Sequence, residues 1–161
     1  MPEFTITAVQ HPDDLADTII LFKIYAQSLG IDLHFQDFDN EVSSMPGKYA
    51  PPTGALYLAR NTAGEAMGCV GLRPLVGADR THCEMKRLYV DLKGRGMGIG
   101  KALAEKVIAE ATRLGYEAMV LDTLESMGSA RALYKALGFV EMEAYYETPL
   151  EDTHFLKLVL R

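Results

Sequence analysis

Apolar and polar residues alternate from the start of the chain. "FTITAV", Phe4 to Val9, reads as a strand with β-branched residues between the apolar ones. Pro12 followed by Asp13 and Asp14 marks a helix start, the carboxylates favouring the positive end of the dipole. Leu15, Ile19, Phe22, Ala26 and Leu29 then recur at steps of three and four and predict one apolar helix face, with Gly30 as its stop. Residues 32–44 are mixed and predict a shorter helix. "MPGKYAPPTG" (45–54) carries three prolines and two glycines and predicts an irregular loop. "ALYLAR" (55–60), the turn "NTAGE", "AMGCVGLR" (66–73) and, after a loop at 74–81, "HCEMKRLYV" (82–90) predict an antiparallel meander. Leu103, Val107, Ala111 and Leu114 form a helical stripe stopped at Gly115, and "AMVLD" (118–122) is a buried type of strand. Ala130, Leu133, Tyr134 and Leu137 predict a last helix, capped by Ser126 or Ser129 and stopped at Gly138. "FVEMEAYY" (139–146) and "THFLKLVL" (153–160) predict two closing strands. The order β, α, α, β, β, β, α, β, α, β, β implies an α/β architecture on a mixed sheet.

Composition narrows this only in part. A chain of 161 residues is expected to form one domain over 1–161 with a well-buried core. A net charge of −6 argues against a phosphate backbone as partner and weakly favours a cationic small molecule. No apolar run approaches the roughly 18 residues that span a bilayer, and "MPEFTITAVQ" does not begin like a secretory signal, so no membrane association and a cytoplasmic location are expected. Cys69 and Cys83 lie in apolar strands and read as buried filler. His11, His34, His82 and His154 are scattered, and no metal is expected.

The chemistry concentrates in "YVDLKGRGMGIGKALAEKVIAEATRLG", Tyr89 to Gly115, where a strand passes through glycines at alternate positions into a helix. Such a turn aims several backbone N–H groups, at the positive end of a helix dipole, at an anion such as phosphate. The alternative is that the glycines merely turn the chain. A P-loop does not fit, because Arg95 stands where its first glycine belongs and Ala102 where Ser or Thr would hold magnesium. A dinucleotide fingerprint fails on the spacing of Gly96, Gly98 and Gly100; only Asp122, at the end of the following strand, favours it.

Arg95-Gly96-Met97-Gly98-Ile99-Gly100 fits the pattern [RQ]-x-x-G-x-[GA]. With "CEMKRLYV" before it and "SARALYKALGFV" after it, the chain resembles the GNAT N-acetyltransferase superfamily over essentially its whole length. The resemblance implies a GNAT-like acyl-CoA N-acyltransferase fold, α/β with a central mixed, twisted sheet of about seven strands flanked by about four helices. It also implies acetyl-CoA as cosubstrate. The pyrophosphate would rest on the amides of Arg95, Gly96, Met97, Gly98, Ile99, Gly100 and Lys101, and the pantetheine would lie along Leu88, Tyr89 and Val90, where two parallel strands splay apart. Arg95 would add a charge-assisted contact unless it is an exposed loop arginine.

Acetyl transfer to an amine needs a neutral nucleophile, an oxyanion donor and a proton for the departing thiolate. By the resemblance, Tyr134 would protonate the sulfur, although it also completes an apolar stripe. Glu84 would take the amine proton, with His82 or water as alternatives and a plain solvated charge as the structural reading. The main chain near Val90 would serve the oxyanion. Many relatives carry an asparagine where this chain has Met127, so Ser129 or Arg131 would have to supply the contact from the last helix. The acceptor, a small-molecule or peptide amine, would lie between the first helices, the 45–54 loop and the final hairpin. Tyr25, Tyr49, Tyr145 and Tyr146 could line that site or simply pack, and Asp32, Asp37, Asp39 and Glu41 could attract a cationic amine or be solvated. A homodimer is compatible with the family. The competing readings are a noncatalytic acyl-CoA-binding or regulatory module and an NAD-dependent oxidoreductase.

Overall fold

The computed structural model describes residues 3–30, 33, 36–75 and 81–160. Seven strands form one sheet. They are β1 (Phe4–Ala8), β2 (Ala55–Asn61), β3 (Ala66–Pro74), β4 (His82–Val90), β5 (Ala118–Leu124), β6 (Val140–Met142) and β7 (Thr153–Val159), in spatial order β1-β2-β3-β4-β5-β7-β6. Four helices flank it: α1 (Pro12–Ser28), α2 (Phe38–Ser43), α3 (Ile99–Arg113) and α4 (Gly128–Ala136). The element order is the one the sequence pattern predicts. Asp32 and His34 lie outside the described residues.

The β4–β5 pair is parallel and the other neighbouring pairs are antiparallel. β4 and β5 stay in register only at His82/Ala118, Cys83/Met119 and Glu84/Val120. Beyond these pairs the two strands diverge, which opens the sheet at its centre. β4 also carries a bulge. Gly71 pairs with Lys86 and Cys69 with Tyr89, so Val70 faces both Arg87 and Leu88, and Arg87 takes a left-handed φ of 59°. The bulge reverses the alternation along the strand. Cys83 and Met85 face the α3 layer before it, Leu88 and Val90 face that layer after it, and Tyr89 joins the α1 layer.

The α3 layer buries Ile99, Leu103, Ala104, Val107 and Ala111, as the stripe predicts. In α1 the fully buried residues are Thr18, Leu21 and Phe22, a face rotated from the predicted one. Thr18 can occupy the middle of that face because its hydroxyl donates to the Asp14 carbonyl at 2.7 Å. Ile20 consequently faces outward, 54% exposed.

Two further expectations need correction. Helix α4 starts from Met127, with no side-chain cap, so neither Ser126 nor Ser129 caps it. The strand predicted over 139–146 ends at Met142, because the hydroxyls of Tyr145 and Tyr146 reach inward to Glu84 and Asp122 instead of continuing the ladder. The loop at 45–54 is irregular, as predicted, and tightly packed, with Tyr49 only 2% exposed against Phe22.

Candidate active site

The divergence of β4 from β5 leaves a groove of about 830 Å³. Leu88, Tyr89 and Val90 form one wall, Gly94–Gly96 and Gly98–Gly100 the rim, and Ser126–Ala130 the opposite side. Asp91 N–H donates to the Met67 carbonyl at 2.8 Å, and Val90 is paired with Gly68 one position earlier. Hydrogen-bonded and non-bonded pairs alternate in an antiparallel ladder, so the N–H and C=O of Val90 point away from β3 into the gap. Arg95 Nε donates to that carbonyl at 3.4 Å.

At the rim, Gly96 and Gly98 adopt φ of 83° and 82°, which favour glycine, and a Cβ on either would project into open space. Gly98 caps α3 without a side-chain bond, and the first intrahelical bond runs from Ala102 N–H to the Gly98 carbonyl at 3.1 Å. The N–H groups of Ile99, Gly100 and Lys101 are therefore left without helical partners, and no acidic side chain occupies the first turn. Bare amides, a dipole's positive end and clear space above the glycines fit a diphosphate. Ser129 lines this groove; Met97, Lys101 and Arg131 do not, and Arg131 Nη1 instead approaches the Glu125 carbonyl at 3.5 Å. Met127 lines it too, where it accepts a contact from Thr123 Oγ1 at 3.7 Å through its sulfur.

The groove narrows into a small chamber that shares Tyr25, Leu29, Leu88 and Met127 with it and adds Tyr134, Gln36, Lys86 and Asp122. Tyr134 is 5% exposed, its ring packs edge-on to Phe139 at 5.7 Å, and its hydroxyl, which enters no hydrogen bond among the described residues, belongs to the lining of the chamber. Burial, with smaller contributions from Tyr25 and Asp122, pushes its ionisation well above the ordinary phenol value, so it holds its proton. Tyr25 comes from the opposite layer; burial raises its phenol to about 12. Sequence reasoning gave Tyr25 no firm role, since nothing in its spacing distinguishes it from a packing residue.

Past the chamber lies a charged network. Glu84 accepts from Arg73 Nε at 2.9 Å on one oxygen and from Tyr145 at 2.6 Å on the other, with Lys86 at 3.8 Å. Asp122 accepts from Lys86 at 3.3 Å, from Gln36 at 3.2 Å and from Tyr146. Burial pushes its carboxyl up, but Lys86, the Tyr146 hydroxyl and Arg87 together hold it below the usual carboxylate range. Arg87 clasps both oxygens of Glu41 at 3.1 and 3.0 Å and donates to Gln36 at 2.9 Å. Glu41 is thus no solvated charge: burial acts against its ionisation, and Arg87 and Arg73 outweigh it. Asp37 bonds Asn40 on the surface. His82 sits where β4 begins, its Nδ1 3.0 Å from Thr81 Oγ1, and does not line the chamber.

A model of the acetyltransferase (GNAT) family matches residues 21–139, and the chain belongs to that family. An uncharacterized N-acetyltransferase of Schizosaccharomyces pombe is 42% identical over 154 residues, covering 96% of this chain and 93% of that protein. A GNAT-family acetyltransferase of Staphylococcus aureus has the same fold, with a TM-score of 0.79 at 24% identity over 98% of this chain and 99% of its own. A phosphinothricin acetyltransferase of Sinorhizobium meliloti in complex with acetyl-CoA gives a TM-score of 0.72 at 22% identity, over 98% and 88% of the two chains.

Proposed function

We propose that the protein is an acetyl-CoA-dependent N-acetyltransferase that acetylates a primary amine by direct attack in a ternary complex. The reading rests on one observation above the others: the unpartnered Tyr134 hydroxyl in the chamber that connects the glycine-rimmed groove to a polar pocket. Bound in the groove, acetyl-CoA would supply a thioester carbonyl open to attack and a thiolate as leaving group. The amides of Ile99, Gly100 and Lys101 would hold its diphosphate, and the main chain of β4 through Val90 would align its arm. The Val90 N–H, pointing into the gap, would bond the carbonyl oxygen as charge builds there. Tyr134 keeps its proton until the sulfur leaves and then donates it, and Glu84 receives the amine proton directly or through water. Both Glu84 oxygens already accept hydrogen bonds, from Arg73 and Tyr145, so Glu84 contributes less to the rate than Tyr134.

Tyr134→Phe tests the assignment, because a noncatalytic coenzyme-binding module has no use for that hydroxyl. An amine library read by thiol release should reveal an acceptor, and the variant should lower kcat by about 10²-fold or more. Its acetyl-CoA affinity by calorimetry should stay within about twofold of the parent, since the phenol is not assigned to ground-state binding. Undiminished acetylation by Tyr134→Phe removes the acid role; no detectable acetyl-CoA binding by the parent removes the whole reading.

A further inference from the structure

The charged network beyond the chamber has an uneven distribution of hydrogen bonds. Three cations, Arg73, Lys86 and Arg87, face three carboxylates, Glu41, Glu84 and Asp122. Arg87 spends Nε, Nη1 and Nη2 on Glu41 and Gln36. Lys86 is occupied by Gln36 and Asp122, each at 3.3 Å. Arg73 differs. Among the described residues only its Nε makes a hydrogen bond, to Glu84; Nη1 is ion-paired with Glu41 at 3.6 Å, beyond hydrogen-bond reach, and Nη2 has no hydrogen-bond partner. The outer edge of its guanidinium keeps its N–H donors unspent, while the side chain is 19% exposed.

That edge lies between two cavities. One, of about 190 Å³, is lined by Gln36, Arg73, Leu75, Glu84, Lys86, Tyr145 and Tyr146. The other, of about 200 Å³, lies under α2 and the 45–54 loop and shares Gln36 and Arg73 with it. Gln36, Lys86 and Tyr146 also line the Tyr134 chamber, so the cavity beside Arg73 and the reacting end share a wall of polar side chains. Along β3, Arg73 lies three residues beyond Val70, which faces Leu88 across the bulge. That is roughly 10 Å of strand, a span an arginine side chain shortens further.

We infer that the acceptor is a small amine bearing a carboxylate, with Arg73 holding that carboxylate through Nη1 and Nη2; the inference rests on the acetyltransferase reading. A planar fork whose two adjacent Nη nitrogens make no hydrogen bond among the described residues matches a carboxylate bidentately. A polycationic acceptor finds the opposite situation, because every nearby carboxylate already has a cationic partner and Arg73 repels it. Size points the same way: each cavity is smaller than the roughly 300–1,000 Å³ of a drug-sized site, which suits an amino acid better than a protein segment.

The test pairs free amino acids with their carboxamides as acceptors for the parent, Arg73→Gln and Arg73→Lys. In parallel, calorimetry in the presence of CoA measures binding of the N-acetylated acids and of their amides. The parent should favour acids by about tenfold or more in kcat/KM, Arg73→Gln should erase most of that preference through KM, and Arg73→Lys should retain part of it. Retained acetyl-CoA affinity in both variants shows that they are folded. Equal use of acids and amides by the parent, or equal loss on both in Arg73→Gln, overturns the inference while leaving acetyl transfer standing. Arg73-dependent binding of N-acetylated acids without any turnover supports the carboxylate site and sinks the catalytic reading instead.

Discussion

Gly98 shows how much chemistry a single residue without a side chain can carry. Its φ of 82° lets the loop that follows β4 turn into α3 at this residue, and the space above it is open. Gly98→Ala meets no clash with the protein, so its cost is backbone strain of about 1–2 kcal/mol, which for a chain this size lowers Tm by roughly 2–8 °C. Its methyl would also stand over the amides assigned to the diphosphate. Thermal melts with and without acetyl-CoA should therefore show a modest loss for the free protein and a larger loss of the ligand-induced shift. An unchanged ligand shift would remove the diphosphate from this rim. The glycine spacing made the rim legible in the sequence. Tyr25, Arg73 and Gln36 were not, because their roles depend on neighbours far along the chain.

At the scale of elements, the bulge in β4 decides which side chains meet. Strict alternation would send one of Lys86 and Arg87 into the apolar α3 layer. With Arg87 left-handed, both reach the α2 side, where Arg87 joins Glu41 of α2 at 3.0 Å. Glu41→Gln leaves a buried guanidinium short of its counter-charge and should destabilise by about 3–5 kcal/mol in denaturant melts. The pH dependence follows from the same pair. Glu41 and Asp122 ionise below their ordinary range in the folded protein, so the unfolded chain binds more protons. Their contribution is complete above about pH 5 and is lost as pH falls through roughly 4 and below. The parent's Tm should fall across that window, and Glu41→Gln should fall less steeply. A parallel decline would show that the pair is not the source. Nothing in the sequence announced the bulge, since a left-handed arginine carries no local signature.

For the whole molecule, the splayed sheet sets the groove, the Tyr134 chamber and the polar cavity side by side with shared walls, and direct transfer in a ternary complex is the proposal that uses all three. Neither cysteine can interrupt that transfer: Cys69 and Cys83 are buried, and burial pushes the Cys83 thiol up to about 12 and the Cys69 thiol higher still. Initial rates against both substrates should give intersecting lines, and a Cys69→Ala, Cys83→Ala double variant that stays folded should retain acetyl transfer. Parallel lines with activity lost in that variant would demand an acetylated enzyme instead. Among the described residues no helix is long and apolar enough to cross a membrane. The element order, the α3 stripe and the glycine rim were readable in the chain, because each depends on spacing within one turn, one strand or one helix. The rotated face of α1 was misread because Thr18 satisfies its hydroxyl within its own helix and so passes for an apolar residue. Only the folded structure decided where β4 parts from β5, that Tyr145 and Tyr146 turn inward, and that Arg73 keeps donors to spare. Those outcomes are set by hydrogen bonds and charges between residues dozens of positions apart, and local pattern holds no record of them.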